Sequence, residues 1–362
     1  MSSNPAGNVL LVGSMPLDSV ETVLRSSARE LGPWLACVPD GEVGERRNWV
    51  YTVAQDAFDG HPDLVTHKIP LDHLGTDRIK EQENRIWHFE VRPDVKSLRF
   101  DGLKFAGVAA DSYRTMLRLR AEGAMPAGVR FQVALPTTGA VVAPFFRNLA
   151  DWPIVSAAYR AAIKAEVAKM CAVIPPRDLL IQWDVCHELM DLLAGDAPLY
   201  PWSPKGVGVE QKWRQHMADI GDLSVDVPAE VGLGYHFCYG TSRGWPNTTS
   251  PDMKVSVRLA NECVKAARRH VDYVHIPVLP ESDDAFFAPL KDLDIGDTRV
   301  YLGLVVHDGI DAFKRRAAAA ARYLPDFGIA SYCGWGRVDP ARIADHLHDL
   351  HDAADVLYGH GH

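Results

Sequence analysis

Short hydrophobic runs rich in β-branched residues alternate with longer amphipathic stretches along the whole chain. This alternation is typical of parallel strands that are joined by crossover helices. The pattern predicts strands at 8–13, 34–39, 104–109, 129–136, 179–185, 231–238, 272–278, 298–306 and 328–333. These are nine candidates for the eight positions of a barrel, so we interpret 104–109 as an extra strand or an edge element.

The stretches between the strands have helical spacing or loop composition. Helices are predicted at 155–173, 251–269, 310–323 and 340–357. Residues 60–103 carry few strand signals and many charges, which predicts an insertion after an early strand. The Pro- and Gly-rich segment 192–207 predicts a long loop over one end of the barrel. We expect the tail, 358–362, to be mobile.

These elements predict an α/β fold, a (β/α)8 TIM barrel that forms a single domain over 1–362 with its core at about 8–357. Barrels of this kind often reach such lengths in one domain. A doubly wound open sheet is the alternative fold. It is disfavoured because the turn at Val12-Gly13-Ser14 is too short for the Gly-x-Gly-x-x-Gly phosphate cradle.

Composition narrows the possible partners. The apolar fraction is 47%, and the net charge of −9 is spread along the chain, which argues against nucleic acid or an anionic membrane as partner. The sequence has no long apolar run and no basic leader segment, so we expect a cytoplasmic protein. Six cysteines are sparse for 362 residues, and we expect reduced thiols. The oligomeric state is open, a homodimer being one option.

Polar and reactive side chains follow nearly every predicted strand. The candidates at these strand ends are Ser14, Glu42, Asp184, Cys186, His187, His236, Cys238, Tyr239, His275, His307, Cys333 and Trp335. In a (β/α)8 barrel the carboxyl ends of the strands converge on one face, where such enzymes keep their active sites.

Three of these residues have the chemistry of zinc ligands. His236 and Cys238 are separated by one residue, so both side chains point to the same face of a strand. Imidazole and thiolate are common zinc ligands, and Cys333 brings a second sulfur to the end of the last strand. The residue pattern alone leaves a zinc site and ordinary core packing as equal alternatives.

From position 8 to about 340, the chain resembles the catalytic barrel of cobalamin-independent methionine synthase, within the wider group that includes uroporphyrinogen decarboxylase. The matching segments are LLVGSMP, DGEVGERRNWV, IQWDVCHEL, GYHFCYG and SYCGWGR. The last two match the family's zinc motifs and are the most specific. The resemblance implies a Zn2+ ion held by His236, Cys238 and Cys333.

The same resemblance implies the substrates. Zinc in this family binds a thiol as its thiolate and presents it to an electrophilic carbon. The family's site for an amino-acid thiol corresponds to Ser14, Glu42 and Asp184, whose carboxylates would meet an ammonium group. The implied partners are therefore a small-molecule thiol and an alkyl donor.

Two departures from the family leave alternatives open. Pro277 stands about where the family has a further zinc ligand, a glutamate. His275 shares a strand face with Pro277 and is our first candidate for a fourth ligand, with Glu281 the second. The family's aromatic folate platform is not evident after the fourth strand, so the alkyl donor stays open between a small methyl donor and an epoxide.

Other strand-end residues have two possible roles each. His187 is a candidate general acid or base, or else a histidine of a polar loop. His307, followed by Asp308, could orient substrate or a ligand histidine, or belong to an ordinary turn. Cys186 is interpreted mainly as a small core thiol.

Tyr239 and Trp335 could form an apolar wall around an alkyl donor or pack in the core. His346, His348 and His351 lie at spacings that point to different sides of a helix, so we expect surface residues.

The sequence thus predicts a zinc-dependent methyl or alkyl transferase acting on a thiol, with thiol–epoxide transfer as a variant. A metal-free lyase or decarboxylase of the same barrel group is the second hypothesis. A third is a protein that binds a small molecule or zinc without turnover.

Overall fold

The computed structural model describes residues 7–70, 85–242 and 244–359. Eight parallel strands form one sheet in the order β1-β10-β9-β8-β7-β6-β5-β2. They are β1 (Val9–Leu10), β2 (Cys37–Pro39), β5 (Arg130–Pro136), β6 (Leu179–Val185), β7 (Gly232–Phe237), β8 (Tyr273–Pro277), β9 (Arg299–Val305) and β10 (Gly328–Ser331). A parallel bridge between Val9 and Leu35 joins the two edges, so the sheet is a nearly closed barrel.

Helices surround this sheet, and the predicted (β/α)8 fold is confirmed. They are α1 (Val20–Leu31), α2 (Val50–Val53), α3 (Phe105–Ala121), α4 (Thr138–Val142), α5 (Trp152–Val173), α6 (Cys186–Leu193), α7 (Val209–Val225), α8 (Lys254–Ala267), α9 (Asp284–Phe287), α10 (Ile310–Ala321) and α11 (Ile343–Tyr358). None of the helices in the described ranges is long and apolar enough to cross a membrane.

The strand predicted at 104–109 is wrong, because these residues begin helix α3. The buried positions of α3 include Ala106, Ala109, Tyr113, Met116 and Leu119, which recur at helical spacing. A short apolar run has no clear period of its own. Here the run at 104–109 continues into the residues that follow, and together they form a helix of 17 residues.

The insertion after β2 contains two strands that the sequence analysis did not predict. β3 (Leu64–Pro70) and β4 (Arg85–Val91) form an antiparallel pair. The amide of Phe89 donates to the carbonyl of Phe145 at 2.8 Å, which ties the pair to the segment after α4. Residues 71–84 of the insertion and 360–362 of the tail lie outside the described residues, and Tyr358 ends α11.

The lower half of the barrel is filled by side chains that also support the upper half. Tyr273 and Tyr301 pack edge to face, with ring centroids 5.5 Å apart. The hydroxyl of Tyr273 donates to Gln182 Oε1 at 2.7 Å, and Gln182 Nε2 donates to Asp184 Oδ1 at 2.7 Å. A chain of buried hydrogen bonds therefore runs from the packed core to a carboxylate at the carboxyl end of β6.

Candidate functional site

A cavity of about 250 Å³ lies at the carboxyl ends of the strands. Its wall includes Ser14, Glu42, Asp184, His187, His236, Cys238 and Cys333. Tyr200 and Trp202, from the connection between α6 and α7, line it from above. The loop predicted over this end of the barrel is confirmed, because these two residues lie within the predicted segment.

Three thiols and one imidazole meet in the cavity wall, and we call Cys186, His236, Cys238 and Cys333 the sulfur–imidazole cluster. The sulfur atoms of Cys238 and Cys333 are 3.2 Å apart, and Cys333 Sγ is 3.6 Å from His236 Nε2. The ligand atoms of Cys186, His236 and Cys238 all lie within 4.8 Å of one another. A disulfide needs about 2.05 Å, and the six cysteines are free thiols.

Strand register produces this cluster. Asp184 of β6 lies opposite His236 of β7, and Val185 lies opposite Phe237. The residue directly after each strand is a cysteine, Cys186 and Cys238, so the two thiols become neighbours. Cys333 arrives from the end of β10, which is far along the chain.

The exit of the chain after Cys333 requires a glycine. A Cβ atom on Gly334 would lie 3.0 Å from the backbone nitrogen of Ser14. Because glycine has no side chain, the segment after the last strand can pass close to the turn after the first strand. This close approach brings Cys333 to the same cavity as Ser14.

A hydrogen-bond relay fixes the tautomer of His236. His275 Nε2 lies 3.0 Å from the carbonyl oxygen of Ser331, which can only accept, so this nitrogen carries the hydrogen. Nδ1 of neutral His275 then accepts from Nδ1 of His236 at 2.8 Å. Burial lowers the pKa of His275 to about 4 and that of His236 well below its usual range, which favours the neutral rings.

The relay has two consequences. The lone pair of His236 is on Nε2, the atom that faces Cys333, so the ring is oriented as a ligand. Both nitrogens of His275 form hydrogen bonds, which leaves none for a metal ion. This differs from the sequence-based expectation that His275 is the first candidate for the fourth ligand. The second candidate, Glu281, is exposed.

The three predicted thiol-binding residues lie together in the cavity wall. Ser14 Oγ donates to Glu42 Oε2, and Asp184 is buried on the neighbouring side. Burial raises the pKa of Glu42 to about 7. Burial and the charge of Glu42 raise the pKa of Asp184 well above its usual range. Two carboxyl groups with raised pKa values favour a cation beside them.

Positive charge is also present at the edge of the cavity. Arg47 and Arg337 are part of its wall, and the Arg337 guanidinium donates to Thr241 Oγ1 at 2.8 Å. The cavity therefore has acidic groups and basic groups at different positions of one wall. Such a distribution of charge is complementary to a zwitterion.

The raised pKa of Glu42 predicts a pH-dependent difference in stability. The folded state holds the Glu42 proton up to about pH 7, whereas the unfolded chain releases it near 4.5. Wild-type stability therefore falls as pH rises between these values. We therefore expect Glu42→Gln to be more stable than wild type above pH 7 and equal to it below pH 4.5. The difference should be limited to about 1–2 kcal/mol, because Glu42 is partly exposed and solvent screens its charge.

Urea unfolding at several pH values measures this difference. Glu45→Gln, at an exposed position of the same segment, is the matched control, and its stability should follow that of wild type at every pH. A Glu42→Gln curve parallel to that of wild type at all pH values would contradict the prediction.

His187 lies in the wall next to an aromatic stack. Its ring is parallel to that of Tyr200 at 5.8 Å, and Tyr200 stacks on Trp202 at 5.3 Å. Burial lowers the pKa of His187 to about 3, so the neutral ring faces the cavity and is a weak base. The sequence does not predict this stack, although Tyr200 and Trp202 lie in the predicted loop.

Three other predicted site residues lie outside the cavity wall. Tyr239 and Trp335 are buried in the core, at 0% and 2% exposure, rather than around a donor site. His307 Nδ1 is 2.7 Å from Asp349 Oδ2, and its Nε2 is 3.2 Å from Ser331 Oγ. His307 thus supports the strand that leads to Cys333 rather than facing the cavity.

The expectation that His346 is a surface residue is wrong. The side chain is buried, and its ring centroid lies 3.5 Å from that of His307. His348 is 66% exposed, as expected, whereas His351 is partly buried and contacts the carbonyl of Glu30 at 2.8 Å. Helix α11 turns one side to the barrel, and His346 is on that side.

Comparison with known proteins supports the fold. No known protein-family profile matches the sequence, and no curated protein matches it. Two solved structures are similar over 98% of this chain and 98% of their own chains. One is a B12-independent methionine synthase from Shewanella sp. W3-18-1 in complex with selenomethionine, with a TM-score of 0.63 and 13% identity.

The other is a putative vitamin-B12 independent methionine synthase from Listeria monocytogenes, with a TM-score of 0.59 and 14% identity. At this identity the likeness shows the fold. It confirms the structural resemblance that the sequence motifs indicated.

Proposed function

We propose that this chain is a zinc-dependent transferase that moves a methyl or larger alkyl group to a thiol, similar to methionine synthase. The observation that carries the proposal is the meeting of Cys238, Cys333 and His236 at the cavity. Their separations of 3.2 and 3.6 Å are short enough for the three side chains to share one cation. Sulfur and imidazole are the ligands that zinc prefers.

The surroundings of these residues fit a metal ion. The neighbouring thiol, Cys186 for Cys238 and Cys238 for Cys333, raises the pKa of each thiol well above the usual range, and burial adds to this effect. A divalent cation would keep them as thiolates and would supply the same activation to a bound substrate thiol, whose free pKa is about 8.5. The amide of Gly240 donates to Cys238 Sγ at 3.2 Å, an arrangement that stabilises negative charge on sulfur.

The remaining residues bind and orient the substrates. Glu42 and Asp184 would hold an ammonium group of the thiol substrate, and Arg47 or Arg337 would bind its carboxylate. Transfer forms a bond between sulfur and carbon, breaks the bond between carbon and the leaving group, and releases the thiol proton. His187 and Tyr200 would pack on the alkyl donor and exclude water, since their rings form that side of the cavity.

Two measurements test the proposal. Elemental analysis of the purified protein should give about one zinc per chain. Thiol alkylation should be observed with a panel of amino-acid and other small thiols against methyl donors and epoxides, and should be lost on chelation and restored by zinc. Metal-free protein that alkylates none of these thiols would overturn it, and chelator-insensitive decarboxylation of a carboxylated substrate would favour the decarboxylase alternative.

A further inference from the structure

We infer that Cys186 is the fourth protein ligand of the metal ion in the substrate-free protein, giving a site with three sulfur atoms and one imidazole nitrogen, to which the substrate thiol would add as a further ligand. This inference rests on the proposed function and adds a ligand for which the sequence resemblance has no counterpart. It replaces the interpretation of Cys186 as a small core thiol. The residue is buried, yet it forms part of the cavity wall.

Distances within the sulfur–imidazole cluster agree with a tetrahedral site. With Zn–S near 2.3 Å and Zn–N near 2.05 Å, a regular tetrahedron separates two sulfurs by about 3.8 Å and sulfur from nitrogen by about 3.6 Å. The observed separations are 3.2 Å for Cys238 and Cys333 and 3.6 Å for Cys333 and His236. The ligand atoms of Cys186, His236 and Cys238 lie within 4.8 Å of one another, so Cys186 shares two neighbours with Cys333.

The backbone brings Cys186 next to the strand that carries two of the other ligands. Cys186 is the first residue of α6 and directly follows β6. Strand β6 pairs with β7, which carries His236 and is followed by Cys238. Its sulfur atom lies within 4.8 Å of that of Cys238. A third sulfur therefore reaches the cluster from an element that carries none of the other ligands.

The two other candidate residues for the fourth position are less favourably placed than Cys186. His275 uses one nitrogen for His236 and the other for the carbonyl of Ser331. Glu281 is exposed on the loop after β8. A thiolate carries the same charge as the carboxylate that the family has as its further ligand, so the total charge of the loaded site is unchanged by the exchange.

X-ray absorption at the zinc edge of the wild-type protein tests the inference directly. We expect three sulfur neighbours and one nitrogen around zinc. The cobalt-substituted protein provides a second measurement, since its thiolate-to-metal absorbance should fall by about a third in Cys186→Ser when one of three thiolates is removed. Zinc should also be removed by a chelator at least about tenfold faster from this variant.

Cys263→Ser is the matched control. Cys263 is fully buried in α8 and lies outside the cavity wall, so its replacement should leave the cobalt spectrum and the chelation rate unchanged. Two sulfur neighbours in wild-type protein, or an unchanged spectrum in Cys186→Ser, would overturn the inference while the transferase proposal stands. Absence of bound metal together with chelator-insensitive activity would overturn both. If Cys186→Ser does not fold, the wild-type sulfur count decides.

Discussion

Replacing Cys333 with serine is expected to lower kcat/KM for thiol alkylation by a factor on the order of 10³ or more, which corresponds to about 4 kcal/mol of transition-state stabilisation. The substitution removes one sulfur from the cluster and the 3.2 Å contact with Cys238. A hydroxyl is a much weaker zinc ligand than a thiolate. Most of the zinc should therefore be lost, and with it the activation of the substrate thiol.

The strand itself should tolerate this change. Serine is close to cysteine in volume, and Cys333 is only partly buried at the end of β10. The thermal unfolding of the metal-free variant should match that of metal-free wild type. Cys171→Ser, at a partly buried position of α5 away from the cavity, should keep full zinc and full activity. A Cys333→Ser enzyme with normal zinc content and rate would remove the basis of the proposed function.

The barrel and part of the site could be predicted from sequence because both depend on local patterns. Eight hydrophobic runs with turn residues at their ends define the strands. In a parallel barrel the end of every strand reaches the same face, so Cys238 and Cys333 could be placed together although 95 positions separate them. Chain topology alone makes this contact.

What could not be predicted depends on register and on packing between distant elements. The proposed role of Cys186 depends on the pairing of Asp184 with His236, and this register cannot be read from the sequence. His275 shares a strand face with ligand positions, but its direction is set by the carbonyl of Ser331, a backbone group with no sequence signature.

The errors have a similar origin. The run at 104–109 is too short to have a clear period, and only the contacts of the following turns make it helical. His346 is a polar residue whose burial depends on the neighbouring His307. Tyr239 and Trp335 follow strands, which left a cavity wall and core packing as alternatives, and the structure places both in the core.

The second large effect concerns the barrel interior. Gly234 of β7 lies against the ring of Tyr273, and a Cβ atom at this position would be 2.3 Å from Cζ of that ring. The ring is held by its hydrogen bond to Gln182 at 2.7 Å and is almost fully buried, so it has little room to move. We expect Gly234→Ala to lower the free energy of unfolding by about 3 kcal/mol, as overpacking of a filled core does.

Guanidinium unfolding of matched glycine variants measures this effect. Gly107 lies in α3 with open space around it, and Gly107→Ala should raise stability by about 0.5–1 kcal/mol because alanine favours helix. The two alanine variants therefore have opposite signs, which separates steric overlap from the general effect of replacing glycine. An unchanged midpoint in Gly234→Ala would contradict the argument.

A double variant identifies the ring as the cause. Tyr273→Leu removes the overlapping atoms, so Gly234→Ala should cost less in that background than in wild type, with a coupling of about 0.5–3 kcal/mol. The hydroxyl of Tyr273 also supports Gln182, which in turn donates to Asp184. Displacement of the Tyr273 ring should therefore weaken binding of the thiol substrate in protein that is still folded. The packing of the lower barrel would in this way affect the Asp184 carboxylate at its upper end.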